Sequence, residues 1–197
     1  GGLWDAQSPT STMYESAHLI SSKRTTEFEE FPMRDEVAQY PHHSELKRYF
    51  QDYARHFELY PHFEFATEVV RAERHGEQWD LTTRCDGQEQ TRRFDGLMLC
   101  NGTLHEPNQP PLPGAFSGQV MHSSAYKSAQ MLDGKRVLII GCGNSGADIA
   151  VDAVHRAASV DMSLRRGYYF LPKFVLCRPI DTLGAGQIVL PRPRKQF

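Results

Sequence analysis

Residues 135–150 read Lys-Arg-Val-Leu-Ile-Ile-Gly-Cys-Gly-Asn-Ser-Gly-Ala-Asp-Ile-Ala. Val137 to Ile140 form a short β-branched, apolar run without polar alternation, the pattern of a parallel strand buried on both faces. Gly141, Gly143 and Gly146 follow at Gly-x-Gly-x-x-Gly spacing. An apolar helical pattern then begins, carried by Ala147, Ile149, Ala150, Ala153 and Val154. Such glycines are informative when they end a strand and open a helix. Gly141 suits a tight turn, Gly143 lets backbone approach a pyrophosphate, and Gly146 lets helix pack on strand. The helix N-terminus offers N–H groups and partial positive charge to phosphates. A dinucleotide site is expected over Gly141, Gly143, Asn144, Ser145, Gly146 and Ala147.

Val160–Leu164 reads as the next parallel strand, closing a compact βαβ unit. At its end an acidic residue would hold an adenosine ribose, whereas arginine would accept a 2′-phosphate. The sequence there is Leu164-Arg165-Arg166-Gly167. Two adjacent guanidinium groups suit a phosphate, so NADP is expected over NAD. Asp148 is placed in the first turn of the motif helix, where a carboxylate suits the dipole. A contact from it to NADP through a bridging group stays open.

The rest of the chain sets bounds. A hydrophobic fraction of 40%, a charged fraction of 23% and a net charge of −2 over 197 residues describe an ordinary globular chain. Nothing in that charge calls for nucleic acid or an anionic membrane as partner. No apolar stretch approaches the roughly 20 residues that span a bilayer. Cys85, Cys100, Cys142 and Cys177 are scattered without a Cys-x-x-Cys pair. That argues against a disulfide framework, a zinc site or a dithiol centre, and for a reducing, cytoplasmic setting.

Both ends read as cut. Residues 1–43 show little periodicity, with Trp4, Tyr14, Phe28 and Phe31 suggesting a packed, irregular surface. Ser44 looks like an N-cap for an amphipathic helix over 45–57. Three short strands, over 63–72, 78–84 and 90–94, are separated at Gly76 and Gly87 as an antiparallel meander. Leu97–Cys100 reads as a buried parallel strand meeting a turn at Asn101-Gly102. Residues 103–134 are proline-rich and mostly loop, a crossing between domains.

Several of these stretches resemble one family. Phe116, Gly118, His122 and Tyr126 fit the Phe-x-Gly-x-x-x-His-x-x-x-Tyr fingerprint of flavin-containing monooxygenases. The Gly141–Ala150 run is similar to their NADPH motif. Gly1-Gly2-Leu3-Trp4 resembles the Gly-Gly-x-Trp after their first βαβ unit, and Leu97–Gly102 their Ala-Thr-Gly strand. Arg165-Arg166-Gly167 also fits.

The resemblance implies an α/β fold of two incomplete Rossmann-like, three-layer dinucleotide-binding domains with a small β-meander. Residues 1–103 would be a partial FAD-binding domain, 104–134 a linker and 135–197 a partial NADP-binding domain. The implied parent uses NADPH to reduce FAD. A C4a-hydroperoxyflavin then oxygenates nitrogen or sulfur of a small nucleophile, as in N,N-dimethylaniline monooxygenases. Flavin-side contacts would come from Gly2, Leu3, Trp4, Asn101, Gly102 and, through strand backbone, Val69. Ser21 and Ser22 stand where the family carries a Ser/Thr-Asn pair near flavin and nicotinamide.

No side chain need be a catalytic nucleophile, because the flavin carries the chemistry. His122 reads as structural, and His42-His43 as a surface turn, not a metal pair. A Baeyer–Villiger ketone monooxygenase is the nearest rival, but its fingerprint ends in Trp where Tyr126 stands. A disulfide reductase lacks support without Cys-x-x-Cys. An inactive NADP-binding fragment and a homo-oligomer both remain open.

Overall fold

The computed structural model describes residues 2–104 and 106–183. Gly1 and the 184–197 part of the NADP-binding span therefore lie outside the described residues. The chain packs as two compact units, residues 1–50 with 104–197, and residues 51–103.

In the first unit, β4 (Arg136–Ile140) leads through the glycine turn into α3 (Asn144–Val154) and returns as β5 (Ser159–Ser163). The two strands pair in parallel, Arg136 with Ser159 through Ile140 with Ser163. The expected βαβ unit is thus formed, with a two-stranded sheet. Its strands are not buried on both faces. Val137, Ile139 and Val160 pack toward α3, whereas Leu138 and Ile140 are 62% and 61% exposed. The reason is that α3 covers one face and no described element covers the other.

Residues 2–42 hold one helical turn, α1 (Lys23–Thr26), and are otherwise irregular. The turn precedes α2 (His43–His56), within which the boundary between units falls. Ser44 is not the N-cap, since helix begins at His43. The ring of His42 does that work: its Nδ1 accepts the Ser44 N–H at 3.3 Å, and its Nε2 lies 2.7 Å from the Glu15 carbonyl. Accepting at Nδ1 and donating at Nε2 satisfies both.

Two apolar cores form. Leu46 and Tyr49 of α2 bury against Leu19 and Met33, with Trp4 alongside. Tyr14, Ala17, Tyr126 and Leu132 bury against Ile149 and Ala153 of α3. Lys23 is buried yet saturated. Its ammonium donates to the carbonyls of Arg34, Asp35 and Val37 at 2.9–3.1 Å, using all three donors.

The second unit carries the meander, β1 (Glu68–His75), β2 (Gln78–Cys85) and β3 (Gln88–Phe94), antiparallel in that order. The first strand starts later than its alternation suggests, because Ala66 has φ +53°, outside the extended range. Leu97–Cys100 is not a strand. Met98 and Leu99 are 86% and 80% exposed, and no described strand pairs with them. A parallel strand requires a neighbour for its backbone groups, and without one the apolar run stays open.

Two stability measurements follow. Leu46→Ala should cost about 3 kcal/mol in urea unfolding, while exposed Ile20→Ala should cost under about 0.5. Equal losses would contradict the assigned core. His43 is held below its ordinary pKa, first by burial and then by the neighbouring His42 charge, and its Nδ1 is buried without a partner. A depressed folded pKa means stability is full above the unfolded value, about 6.5, and falls as pH drops through the folded one. His43→Gln should flatten the acid limb of the stability curve between about pH 7 and 5. An unchanged limb would assign it to other groups.

Candidate functional site

The glycine turn leaves the carboxyl end of β4 beside that of β5, the end of a parallel sheet where ligands bind. Gly141 has φ +102°, a left-handed conformation that strains any residue with a Cβ, and its N–H donates to the Ser163 carbonyl at 2.9 Å. Gly143 is extended at φ −79° and caps α3, with nothing within 4 Å of where a Cβ would stand. Gly146 is the opposite case. A Cβ there would lie 2.8 Å from the Gly141 carbonyl oxygen and 3.7 Å from Ile139 Cγ2. Helix and turn touch at that point, so only hydrogen fits.

The first turn of α3 is formed by Asn144, Ser145 and Gly146, and the Ala147 N–H closes on the Gly143 carbonyl at 2.9 Å. No side chain caps this end. Its leading N–H groups therefore face the open side of Gly143. This geometry fits a pyrophosphate: a concave backbone, positive dipole and a cradle that a Cβ at residue 143 would partly fill.

Arg165 and Arg166 stand just past β5, both exposed. Arg166 lies over the Tyr168 ring at 5.9 Å, and neither arginine pairs with a described carboxylate. Both guanidinium groups are available at the strand end beside the glycine turn.

Asp148 is not in the first turn of α3, which has no acidic residue. It lies one turn further on, and its carboxylate accepts the Tyr14 hydroxyl at 2.7 Å. Asp152 accepts from Ser16 at 2.6 Å and from Tyr126 at 2.7 Å. Burial, then the carboxylates, push both tyrosine hydroxyls well above the usual range. These partners are more than 130 residues from α3 for Tyr14 and Ser16, and no local motif announces them. In the fingerprint, Tyr126 is the buried hydrogen-bonding end. His122 caps a short turn, its Nδ1 accepting the Ser124 N–H at 3.2 Å. Phe116 covers Gly118, where a Cβ would fall 2.5 Å from its ring.

The flavin-side candidates divide between the units. Gly2 (φ +78°), Leu3 and Trp4 lie in the first, with the Ser11 hydroxyl donating to the Leu3 carbonyl at 2.6 Å. Ser21 shares a hydrogen bond with Thr26 at 2.8 Å. Ser22 is fully buried, and its N–H donates to Asp181 Oδ2 at 2.6 Å. Asp181 also accepts the Thr25 hydroxyl at 2.7 Å. Burial raises its pKa, but these donors outweigh it and hold the carboxyl below its usual range. Val69, exposed on β1, Asn101 and Gly102 (φ +77°) belong to the second unit. The Asn101 amide donates to the Gly102 carbonyl at 3.1 Å. Among the described residues no group of three His, Cys, Asp or Glu is placed to hold a metal ion, and no helix is long and apolar enough to cross a membrane.

The sequence profile of the family described as flavin-binding monooxygenase-like matches residues 1–183. The chain belongs to that family. It is 35% identical to flavin-containing monooxygenase 5 of Mus musculus over 203 aligned positions, covering 96% of this chain and 38% of that protein. Dimethylaniline monooxygenase [N-oxide-forming] 2 of Oryctolagus cuniculus is 34% identical over 186 positions, covering 88% and 35%. The fold matches S-allyl-L-cysteine S-oxygenase of Allium sativum with a TM-score of 0.77 and 25% identity, over 87% of this chain and 45% of that one. The chain thus spans 35–45% of the length of these relatives.

The two inner glycines separate fold from ligand. Gly146→Ala should destabilise by about 1–3 kcal/mol, because rigid backbone blocks the new methyl. Gly143→Ala should leave the melting temperature unchanged and weaken dinucleotide binding. Thermal melts with and without NADP check both, and a destabilised Gly143→Ala would contradict the open cradle.

Proposed function

We propose that this chain is the NADPH-motif-bearing part of an FAD- and NADPH-dependent monooxygenase that uses molecular oxygen on nitrogen or sulfur of small nucleophiles. The observation that carries this reading is the open Gly141–Gly146 turn beside Arg165 and Arg166, at the ends of paired parallel strands. The relatives' names, an N-oxide-forming enzyme and an S-oxygenase, support the substrate class.

The flavin, when bound, supplies the oxygen chemistry, and NADPH the reducing equivalents. The chain's own residues bind and orient. Backbone N–H groups at Asn144, Ser145 and Gly146 would hold the pyrophosphate, and Arg165 with Arg166 the 2′-phosphate. Gly2, Leu3, Trp4, Val69, Asn101 and Gly102 would contribute to the FAD side, with Ser21 and Ser22 near the flavin. Serine at 22 lacks the two donors of an amide, so any orienting bond from it is a single hydroxyl. On this reading residues 1–103 form the FAD-binding part, 104–134 the linker and 135–197 the NADP-binding part. Four free cysteines fit a cytoplasmic setting.

Arg165→Ala with Arg166→Ala should weaken NADPH on the order of 100-fold and NADH by less than about twofold, since each charge-assisted contact contributes about 1.5–3 kcal/mol. Equal losses in fluorescence titrations would remove the 2′-phosphate role. Purified chain should carry visible flavin absorbance. Colourless protein that still binds NADPH would limit these 197 residues to dinucleotide binding.

A further inference from the structure

The geometry points to Tyr14 and Tyr126 as positioning residues for the dinucleotide: with Ser16 they brace α3 through Asp148 and Asp152, fixing where the helix presents its first N–H groups. This rests on the dinucleotide reading of Gly141–Gly146.

Asp148 and Asp152 stand one turn apart, on one side of α3. Tyr14 engages the first, and Ser16 and Tyr126 engage the second, all at 2.6–2.7 Å. The two rings pack at 5.6 Å and both are buried, above Ile149 and fully buried Ala153. The strip 11–17 that supplies Tyr14 and Ser16 is itself tied to the fingerprint segment. The Glu15 N–H donates to the Lys127 carbonyl at 2.8 Å, and the Lys127 ammonium donates to the Ser11 carbonyl at 2.8 Å.

Apolar packing sets how far α3 stands from this strip but is non-directional, so it leaves rotation about the helix axis loosely defined. Hydrogen bonds to two carboxylates on one side are directional and remove that freedom. The controlled quantity is the aim of the N-terminal N–H groups, which begin one turn before Asp148. The high pKa values of both hydroxyls keep them donors at every working pH. Asp148 then acts on the cofactor through helix orientation, not by touching it.

The test uses the full 197-residue chain, titrated with NADP+ and with 2′-AMP, which engages the arginines but offers no pyrophosphate. Tyr14→Phe should weaken NADP+ about tenfold and leave 2′-AMP within about twofold. Asp148→Asn, which keeps an acceptor for the Tyr14 hydroxyl, should retain most NADP+ affinity. Ser16→Ala, a milder change should Tyr14→Phe fold poorly, should weaken NADP+ about threefold. Unchanged NADP+ affinity in Tyr14→Phe and Ser16→Ala would overturn the brace. Parallel loss of both ligands would also overturn it, by showing an effect on folding alone. Loss in Asp148→Asn with none in Tyr14→Phe would assign Asp148 a direct contact instead. Wild-type chain that binds neither ligand would overturn the dinucleotide reading itself.

Discussion

The first unit depends on how a helix from the middle of the chain is held by residues near its start. Asp148 and Asp152 are partly withdrawn from solvent, and an ionised carboxylate there needs donors. Tyr14, Ser16 and Tyr126 are those donors. Their bonds, with the apolar core around Tyr14 and Ile149, hold the irregular first stretch on the βαβ unit within one compact body. Tyr14 alone serves Asp148 Oδ2, whereas Ser16 and Tyr126 share Asp152 Oδ2, so losing either of these two leaves the other in place.

The connectivity of the βαβ unit is legible in sequence because its signals are local. Four apolar positions, three of them β-branched, three glycines at fixed spacing and an apolar helical stripe each dictate their own backbone. The Gly146 contact with Gly141 is one such constraint, spanning five residues. The position of Arg165 and Arg166 is legible for the same reason, since they follow β5 after one residue. The brace was not. Tyr14 and Tyr126 read as ordinary aromatics, and nothing near either one names Asp148 or Asp152 as its partner. Tyr126 was found only as the last letter of a fingerprint, and the structure supplies its physical content.

Where sequence reasoning missed, the missing quantity was the neighbour. Leu97–Cys100 has strand composition but no described strand beside it, and β4 has a strand pattern buried on one face only. Apolar periodicity records that a segment is built to be covered, not what covers it. Ser44 failed differently. Its hydroxyl is a good cap, but His42 accepts the Ser44 N–H and lets the helix start at His43, which puts Ser44 inside it.

The same constraint explains the unusual side-chain work in residues 2–42. With one helical turn among them, their backbone donors and acceptors cannot be satisfied by ladders, and buried ones must pair. Side chains take the place of a neighbouring strand. Lys23 serves three carbonyls, the Tyr49 hydroxyl accepts from Phe28 N–H at 2.8 Å and donates to the Phe31 carbonyl at 2.6 Å, and Asp181 takes the Ser22 N–H. Each is a long or ionic side chain reaching a backbone group far away in sequence, Asp181 across 159 residues. A segment held this way is ordered by specific contacts instead of by propensity. Its shape is therefore set by the elements that reach it, α2, the fingerprint segment and the residues after the short strand Arg178–Pro179. The Ser21–Ser22 stretch is thereby fixed by the Asp181 carboxylate, within one and the same unit.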